Sequence, residues 1–150
     1  MPTATSLDNL SLSITDQIRV RASLDATFDS LIAQVGRLNV TPNGDPLPMV
    51  LEPWPGGRWY RELGGNNGHL WGHVQSIKRP GLLEIFGPLF MSFPVMSNLQ
   101  WRLSEVEDGT LIAFRHTALG FIPDEVRQGM SSGWRPLNER VQRAAEALER

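Results

Sequence analysis

The sequence predicts a single α+β domain in which a curved antiparallel sheet of six to seven strands wraps around a long C-terminal helix. Three features lead to this prediction: a helical apolar stripe near the N-terminus, short strand-like segments in the middle, and a long amphipathic segment at the end. The 150 residues suit one domain, since typical domains hold roughly 100–150 residues. We expect residues 1–10 to be a flexible leader and residues 11–150 to form the domain.

The first elements are predicted to be a strand and a helix. In residues 11–22 apolar side chains recur at even positions, and an alternation of this kind is typical of a strand. Over Leu24–Val35 the apolar residues recur at spacings of three and four, which predicts a helix with one buried face. Ser23 is a suitable N-cap, and Gly36 is a suitable end to the helix.

The middle of the chain alternates between strand-like segments and turn residues. A loop with three prolines at 41–48 precedes them. The connections are too short for the crossovers that parallel strands need, so the strands should form an antiparallel meander. The predicted strands are residues 49–52, 58–63, 70–78, 82–86, 97–105 and 110–118.

The last segment changes to a helical period. Pro123 and Asp124 make a suitable helix start, and apolar residues then recur at spacings of three and four as far as Leu148. A helix of about 25 residues is roughly 37 Å long, and no other predicted element is long enough to cover the apolar face of the sheet. A strongly curved sheet cannot touch a straight helix everywhere, so we expect a cavity between the two.

Composition argues against several classes of function. The net charge is -2 and the sequence has no basic stripe, which disfavours nucleic-acid binding. The absence of cysteine excludes disulfides, thiolate metal ligands and a cysteine nucleophile. No segment approaches the roughly 20 apolar residues that span a bilayer, and no secretory signal is visible. We therefore expect a cytoplasmic protein without stable membrane insertion.

Four short motifs occur in a fixed order along the chain. They are Pro55-Gly56-Gly57-Arg58-Trp59, then Gly72-His73-Val74 leading through Pro80 to an apolar strand, then Gly109-Thr110 leading to His116, and finally Gly133-Trp134. Together they resemble the START-like (SRPBCC) superfamily, and more closely the branch named for the activator of the Hsp90 ATPase. The resemblance implies a helix-grip fold, in which the sheet grips the C-terminal helix.

The sequence departs from this branch in two respects. The second short helix that usually precedes the sheet is reduced here to the proline-rich loop at 41–48. The domain with which the eukaryotic activators engage the chaperone has no counterpart in the sequence. The resemblance is therefore a better guide to the fold than to a chaperone-linked function.

The strand alternation and the resemblance together predict which side chains line the cavity. Alternate residues of the last two strands, residues of the strands at 58–63 and 82–86, and one face of the last helix should point inward. The predicted lining residues are Trp59, Leu63, Phe86, Leu99, Trp101, Leu103, Ile112, Phe114, His116, Met130 and Trp134.

The sequence predicts neither a metal site nor a bound cofactor. His69 and His73 are four residues apart, but on a strand this spacing separates their Cα atoms by roughly 13 Å, too far to share one ion. His116 is either a hydrogen-bonded core histidine or a group that contacts ligand and transfers protons. No catalytic residue is assigned.

Three functions are compatible with the sequence. The first is non-catalytic binding of a small apolar or amphipathic molecule in the cavity, which suits the predicted apolar lining. The second is an enzyme of the polyketide-cyclase or hydrolase kind, with His116 as acid and base. The third is an interaction module, such as a homodimer or a chaperone-associated domain, for which the apolar loop at 87–96 would offer a surface.

Overall fold

The computed structural model of the protein describes residues 7–149, which form one antiparallel sheet and three helices. In chain order the elements are α1 (Leu7–Leu10), β1 (Ser11–Val20), α2 (Leu24–Val35), β2 (Val50–Leu51), β3 (Arg58–Gly64), β4 (Asn67–Lys78), β5 (Leu82–Gly87), β6 (Val95–Val106), β7 (Gly109–Gly120) and α3 (Asp124–Leu148). The seven strands lie in the order β1-β7-β6-β5-β4-β3-β2. The sheet is therefore a meander whose first strand returns to pair with the last.

The predicted leader overlaps only in part with the described residues. Residues 1–6 lie outside them, and Leu7–Leu10 forms the short helix α1 directly before β1. The predicted strand at 11–22 is confirmed as β1, which ends at Val20.

The boundaries of α2 agree with the sequence prediction. The hydroxyl of Ser23 accepts a hydrogen bond from the Ala26 amide at 3.1 Å, which satisfies one of the free donors of the first turn. At the other end the Gly36 amide donates to the Ile32 carbonyl at 3.1 Å. The buried face of the helix packs on α3, where the Ser30 hydroxyl donates to the Val141 carbonyl at 2.8 Å.

The β6–β7 hairpin supplies the central part of the core. Its turn holds Asp108 at a φ of 69°, in the left-handed region that aspartate tolerates better than most residues. The register places Trp101 opposite Phe114. The predicted inward faces of both strands are confirmed by burial of Leu99, Trp101, Leu103, Ile112, Phe114 and His116.

Helix α3 covers the inner face of the sheet and is held there by polar as well as apolar contacts. The indole N–H of Trp101 donates to Asn138 Oδ1 at 3.0 Å, and Asn138 Nδ2 donates to Asp16 at 3.1 Å. Arg135 forms a salt bridge with the same aspartate at 2.9 Å. These contacts join β6, α3 and β1 around one buried amide.

The middle of α3 is its weakest part as a helix. Pro136 lies inside it and cannot donate the backbone hydrogen bond that a helix interior needs. Gly129 and Gly133 lie about two turns and one turn before Pro136, and each costs about 1 kcal/mol of helix stability relative to alanine. Within residues 7–149 no helix is both long enough and apolar enough to cross a membrane.

Candidate functional site

A cavity of about 370 Å³ lies between α3 and the β3–β4 end of the sheet. The chain after α2 forms one side, and the connection between β5 and β6 forms another. Its lining residues are Asn39, Val40, Thr41, Pro42, Leu47, Trp59, Trp71, Leu89, Phe90, Glu125, Val126, Gly129, Met130, Gly133, Trp134, Leu137 and Arg140. Most of these side chains are apolar, so the cavity suits an apolar molecule.

Aromatic rings form the sheet side of the cavity. The rings of Trp59 and Trp71 meet edge to face with their centroids 5.0 Å apart, and Phe90 packs on Trp71 at 5.9 Å. Trp59 is buried and its indole N–H donates to the Val35 carbonyl at 2.8 Å, at the end of α2. This hydrogen bond orients the Trp59 ring within the wall.

A β-bulge in β4 turns Trp71 toward the cavity. Trp59 pairs with Gly72, and Tyr60 pairs with Leu70, which leaves Trp71 as the extra residue. In a bulge, two neighbouring residues oppose one residue of the partner strand and their alternation is interrupted. Gly72 fits here because a Cβ atom would lie 2.5 Å from the Phe86 carbonyl oxygen of β5.

Helix α3 forms the opposite wall, in which large side chains are interspersed with glycines. Met130 and Leu137 are buried, whereas Gly129 and Gly133 leave open space beside them. A Cβ atom built on either glycine meets no other atom within 4 Å. The two glycines therefore contribute to the width of the cavity.

Trp134 separates the cavity from the core. Its ring packs against Phe114 at 5.0 Å, against His116 at 5.5 Å and against Trp101 at 6.0 Å. These side chains fill the space beneath β6 and β7. The cavity is consequently displaced toward β3, β4 and the loop after α2.

The connection between β5 and β6 closes part of the cavity with Leu89 and Phe90. Leu89 is buried, has a φ of 60°, and donates its amide hydrogen to the Trp71 carbonyl at 2.8 Å. A left-handed conformation is rare for a bulky residue and needs support from the surrounding structure. The contact with β4 provides such support and holds this connection against the aromatic wall.

His116 lies in the core, and both of its ring nitrogens are hydrogen-bonded. The indole N–H of Trp134 donates to Nδ1 at 3.1 Å, and Nε2 lies 2.9 Å from the Ser97 hydroxyl. Because an indole N–H only donates, Nδ1 must accept, so the neutral ring carries its proton on Nε2 and donates to Ser97. Burial lowers the pKa of His116 from 6.5 to about 4.

We expect His116 to make the stability of the protein depend on pH. Its folded-state pKa lies below its unfolded value, so the unfolded state binds the extra proton and stability falls as pH decreases from about 6.5 to 4. The difference corresponds to roughly 3 kcal/mol of unfolding free energy, fully present above pH 6.5. Urea unfolding of the wild type and of His116→Gln at pH 7.5 and pH 4.5 measures this. If the unfolding free energy fell equally in the two proteins between pH 7.5 and pH 4.5, His116 would not be the cause of the pH dependence.

The acidic and basic residues near the start of β3 lie outside the cavity. Arg58 binds the carboxylate of Glu52 through Nε and Nη2, each at 2.9 Å, and its amide donates to the same carboxylate at 2.7 Å. The Arg58 side chain holds the pKa of Glu52 at about 2, so this carboxylate stays ionised at neutral pH. The pair belongs to the exposed surface, as expected for charged residues on these strands.

The predicted lining residues divide into three groups. Trp59, Met130 and Trp134 line the cavity. A second group points inward but forms the core beneath the cavity: Leu99, Trp101, Leu103, Ile112, Phe114 and His116. Leu63 and Phe86 point away from it.

The predictions for Leu63 and Phe86 were wrong for different reasons. A second register irregularity between Glu62 and Gly64 leaves Leu63 unpaired near the exposed end of the β3–β4 hairpin, where it is 58% exposed. In β5 the inner face carries Leu83 and Ile85, so alternation places Phe86 on the outer face. There it stacks on His73 with ring centroids 5.8 Å apart.

Several lining residues were not predicted from the sequence. Trp71 was missed because the bulge interrupts the alternation of β4, and Asn39 because it lies in a connection without periodicity. Arg140 was missed because it lies beside the apolar stripe of α3 and belongs to no recognisable motif. Within residues 7–149 no group of three or more histidines, aspartates or glutamates is arranged to hold a metal ion.

No protein-family model matches the chain, and no curated protein matches it. Solved structures do share its architecture. CalU16 from Micromonospora echinospora is 20% identical with a TM-score of 0.63, over 91% of this chain and 78% of CalU16. The protein has the helix-grip, START-like fold.

Two further structures with this fold are similar over most of the chain. The di-domain ARO/CYC StfQ from the steffimycin biosynthetic pathway is 12% identical with a TM-score of 0.64, over 94% of this chain and 51% of StfQ. Ara h 8.0201 is 13% identical with a TM-score of 0.64, over 91% of this chain and 99% of the other. At such identities the likeness extends to the fold alone, and the Hsp90-activator branch is not singled out.

Proposed function

We propose that the protein binds a small apolar or amphipathic molecule in the cavity between the sheet and α3. The observation that carries this proposal is the cavity itself, about 370 Å³ in volume and lined mainly by apolar side chains. Ligand sites typically measure roughly 300–1,000 Å³, with an apolar lining and a few placed polar groups. The lining here has that character, with aromatic rings on the sheet side and a few polar groups from the helix and loop.

The comparisons add support at the level of the fold. StfQ, an ARO/CYC protein of a biosynthetic pathway, has the same architecture, as does CalU16. Fold does not determine function, so the argument rests on the lining residues of this chain. The resemblance to the Hsp90-activator branch, the cytoplasmic location and a possible homodimer stay predictions from the sequence.

A cyclase-like reaction with His116 as acid and base has less support. Both ring nitrogens are hydrogen-bonded, and the side chain lies behind Trp134 rather than in the cavity lining. With a pKa of about 4 the ring is neutral near pH 7 and only weakly basic, so it is poorly matched to proton transfer at that pH. We therefore favour binding over catalysis.

Titration with the neutral fluorescent dye Nile red tests the proposal. We expect saturable binding of one dye per protein, and we expect Trp71→Ala to weaken it by about ten-fold because it removes part of the aromatic wall. Trp54→Ala is the matched control, since Trp54 is 54% exposed and does not line the cavity. Absence of saturable binding, or equal weakening in both variants, would reject the cavity as the binding site.

A further inference from the structure

Among the described residues, Arg140 is the arginine with a buried nitrogen that has no hydrogen-bond partner, and it forms no salt bridge. Arg58 and Arg135 form salt bridges with carboxylates, and Arg127 donates to backbone carbonyls of Asn9 and Ser11. Arg140 lines the cavity, yet within the described residues its buried Nε has no hydrogen-bond partner. A buried unpaired donor of a charged group is unusual in a folded protein.

The surroundings of Arg140 do not neutralise its charge. The described residues place no carboxylate within salt-bridge distance of it, and the cation facing it along α3 is Arg143. Burial, and then the charge of Arg143, lower the pKa of Arg140. Glu125 also lines the cavity, but it lies about four turns earlier on α3, roughly 22 Å along the helix axis.

The lining contains other polar side chains besides Arg140. They include Asn39, which is buried, and Thr41. The rest of the lining is mainly apolar and includes Leu137 and the ring of Trp59. An amphipathic molecule of matching shape would place its apolar body on the rings and its polar group at Arg140.

We propose that Arg140 receives the anionic group of the ligand, and that the ligand is an amphipathic molecule bearing a carboxylate or a similar anion. This inference rests on the proposed function and specifies the ligand of the same cavity. A guanidinium presents several N–H groups in a planar fork, which matches a carboxylate better than a neutral oxygen. Binding would give the guanidinium group of Arg140 a charged acceptor while the apolar body stays out of water.

Matched acid and ester pairs test this inference. The probes are dodecanoate with methyl dodecanoate, and naphthoate with methyl naphthoate, each titrated by quenching of tryptophan fluorescence. Each ester is the more apolar member of its pair, so the hydrophobic effect alone favours the ester. We expect the wild type to bind the acid of at least one pair about ten-fold more tightly than the ester, since charged hydrogen bonds are the stronger ones.

Substitutions separate the role of Arg140 from a general attraction to positive charge. Arg140→Gln should remove the preference for the acid, because a neutral amide cannot pair with a carboxylate as the charged guanidinium fork does. Arg143→Gln is the matched control, since it removes one positive charge from the same helix at a position outside the lining. It should keep the preference.

The outcomes distinguish this inference from the proposed function. Saturable ester binding without a preference for the acid in either pair would overturn the role of Arg140 and leave the cavity as an apolar binding site. A preference lost equally in Arg140→Gln and Arg143→Gln would also overturn it, because bulk charge would then explain the result. Absence of binding for every probe would count against both proposals.

Discussion

Replacing Gly129 and Gly133 together with leucine is expected to weaken Nile red binding by about a hundred-fold or more. Both glycines line the cavity, and a Cβ atom at either position would point into open space. The leucine side chains would therefore occupy volume that the ligand would use. A hundred-fold loss of affinity corresponds to about 3 kcal/mol of binding free energy.

The same double variant should not lose stability. Leucine is a better helix former than glycine, so we expect the two changes together to raise the free energy of unfolding by about 1–2 kcal/mol, measured in urea. The control is the double change Ser131→Leu with Ser132→Leu, which adds the same side chains at exposed positions outside the lining. Unchanged affinity in the glycine variant, or an equal loss in the serine variant, would mean that the ligand binds elsewhere.

Truncation of Trp101 to alanine is expected to bring the protein close to unfolding. The side chain is fully buried and packs on Phe114 at 5.0 Å and on Trp134 at 6.0 Å. Large aromatic truncations cost about 3–5 kcal/mol, and the change also removes the donor to the buried Asn138. Domains are stable by only about 5–15 kcal/mol, so this loss is a large fraction of the total.

Urea unfolding at neutral pH measures this effect. Trp101→Phe is the matched variant, because it retains an aromatic ring but lacks the indole N–H. We expect it to lose about 1–3 kcal/mol, and less than the alanine variant. A loss below about 2 kcal/mol for Trp101→Ala would show that the core beneath β6 and β7 is not packed as described.

The sequence was informative where one local rule governs the structure. Helix α2 follows its apolar stripe and its Ser23 cap, and both agree with the structure. Leu99 and Ile112 point inward because the β6–β7 pairing runs without interruption, so that simple alternation holds along both strands. The long C-terminal helix was predicted for the same reason, since its stripe is continuous.

The position of the cavity was harder to predict because it depends on interruptions of the strand alternation and on tertiary packing. Trp71 enters the lining through a bulge, and Leu63 leaves it through a second irregularity in the same hairpin. Neither deviation has a sequence signal that can be separated from the surrounding alternation. The position of the cavity also depends on how far Trp134 fills the space beneath the sheet, which is decided by three-dimensional packing against Phe114 and His116.

The roles of the polar residues were the least predictable part of the site. Whether a histidine in an inward-facing position is a core residue or a catalytic one depends on its partners, and Trp134 and Ser97 occupy both nitrogens of His116. Arg140 becomes notable only when its surroundings are known, since an arginine beside an apolar stripe is ordinary in an amphipathic helix. The absence of a partner for its Nε is a property of the tertiary structure.

Native mass spectrometry tests most directly whether the cavity holds one small molecule. The wild type and the double variant at Gly129 and Gly133 would be measured in the presence of the same excess of Nile red. Binding in the cavity predicts a single adduct of one dye on the wild type and its near absence on the variant. Equal adducts on the two proteins, or no adduct on the wild type, would contradict the account.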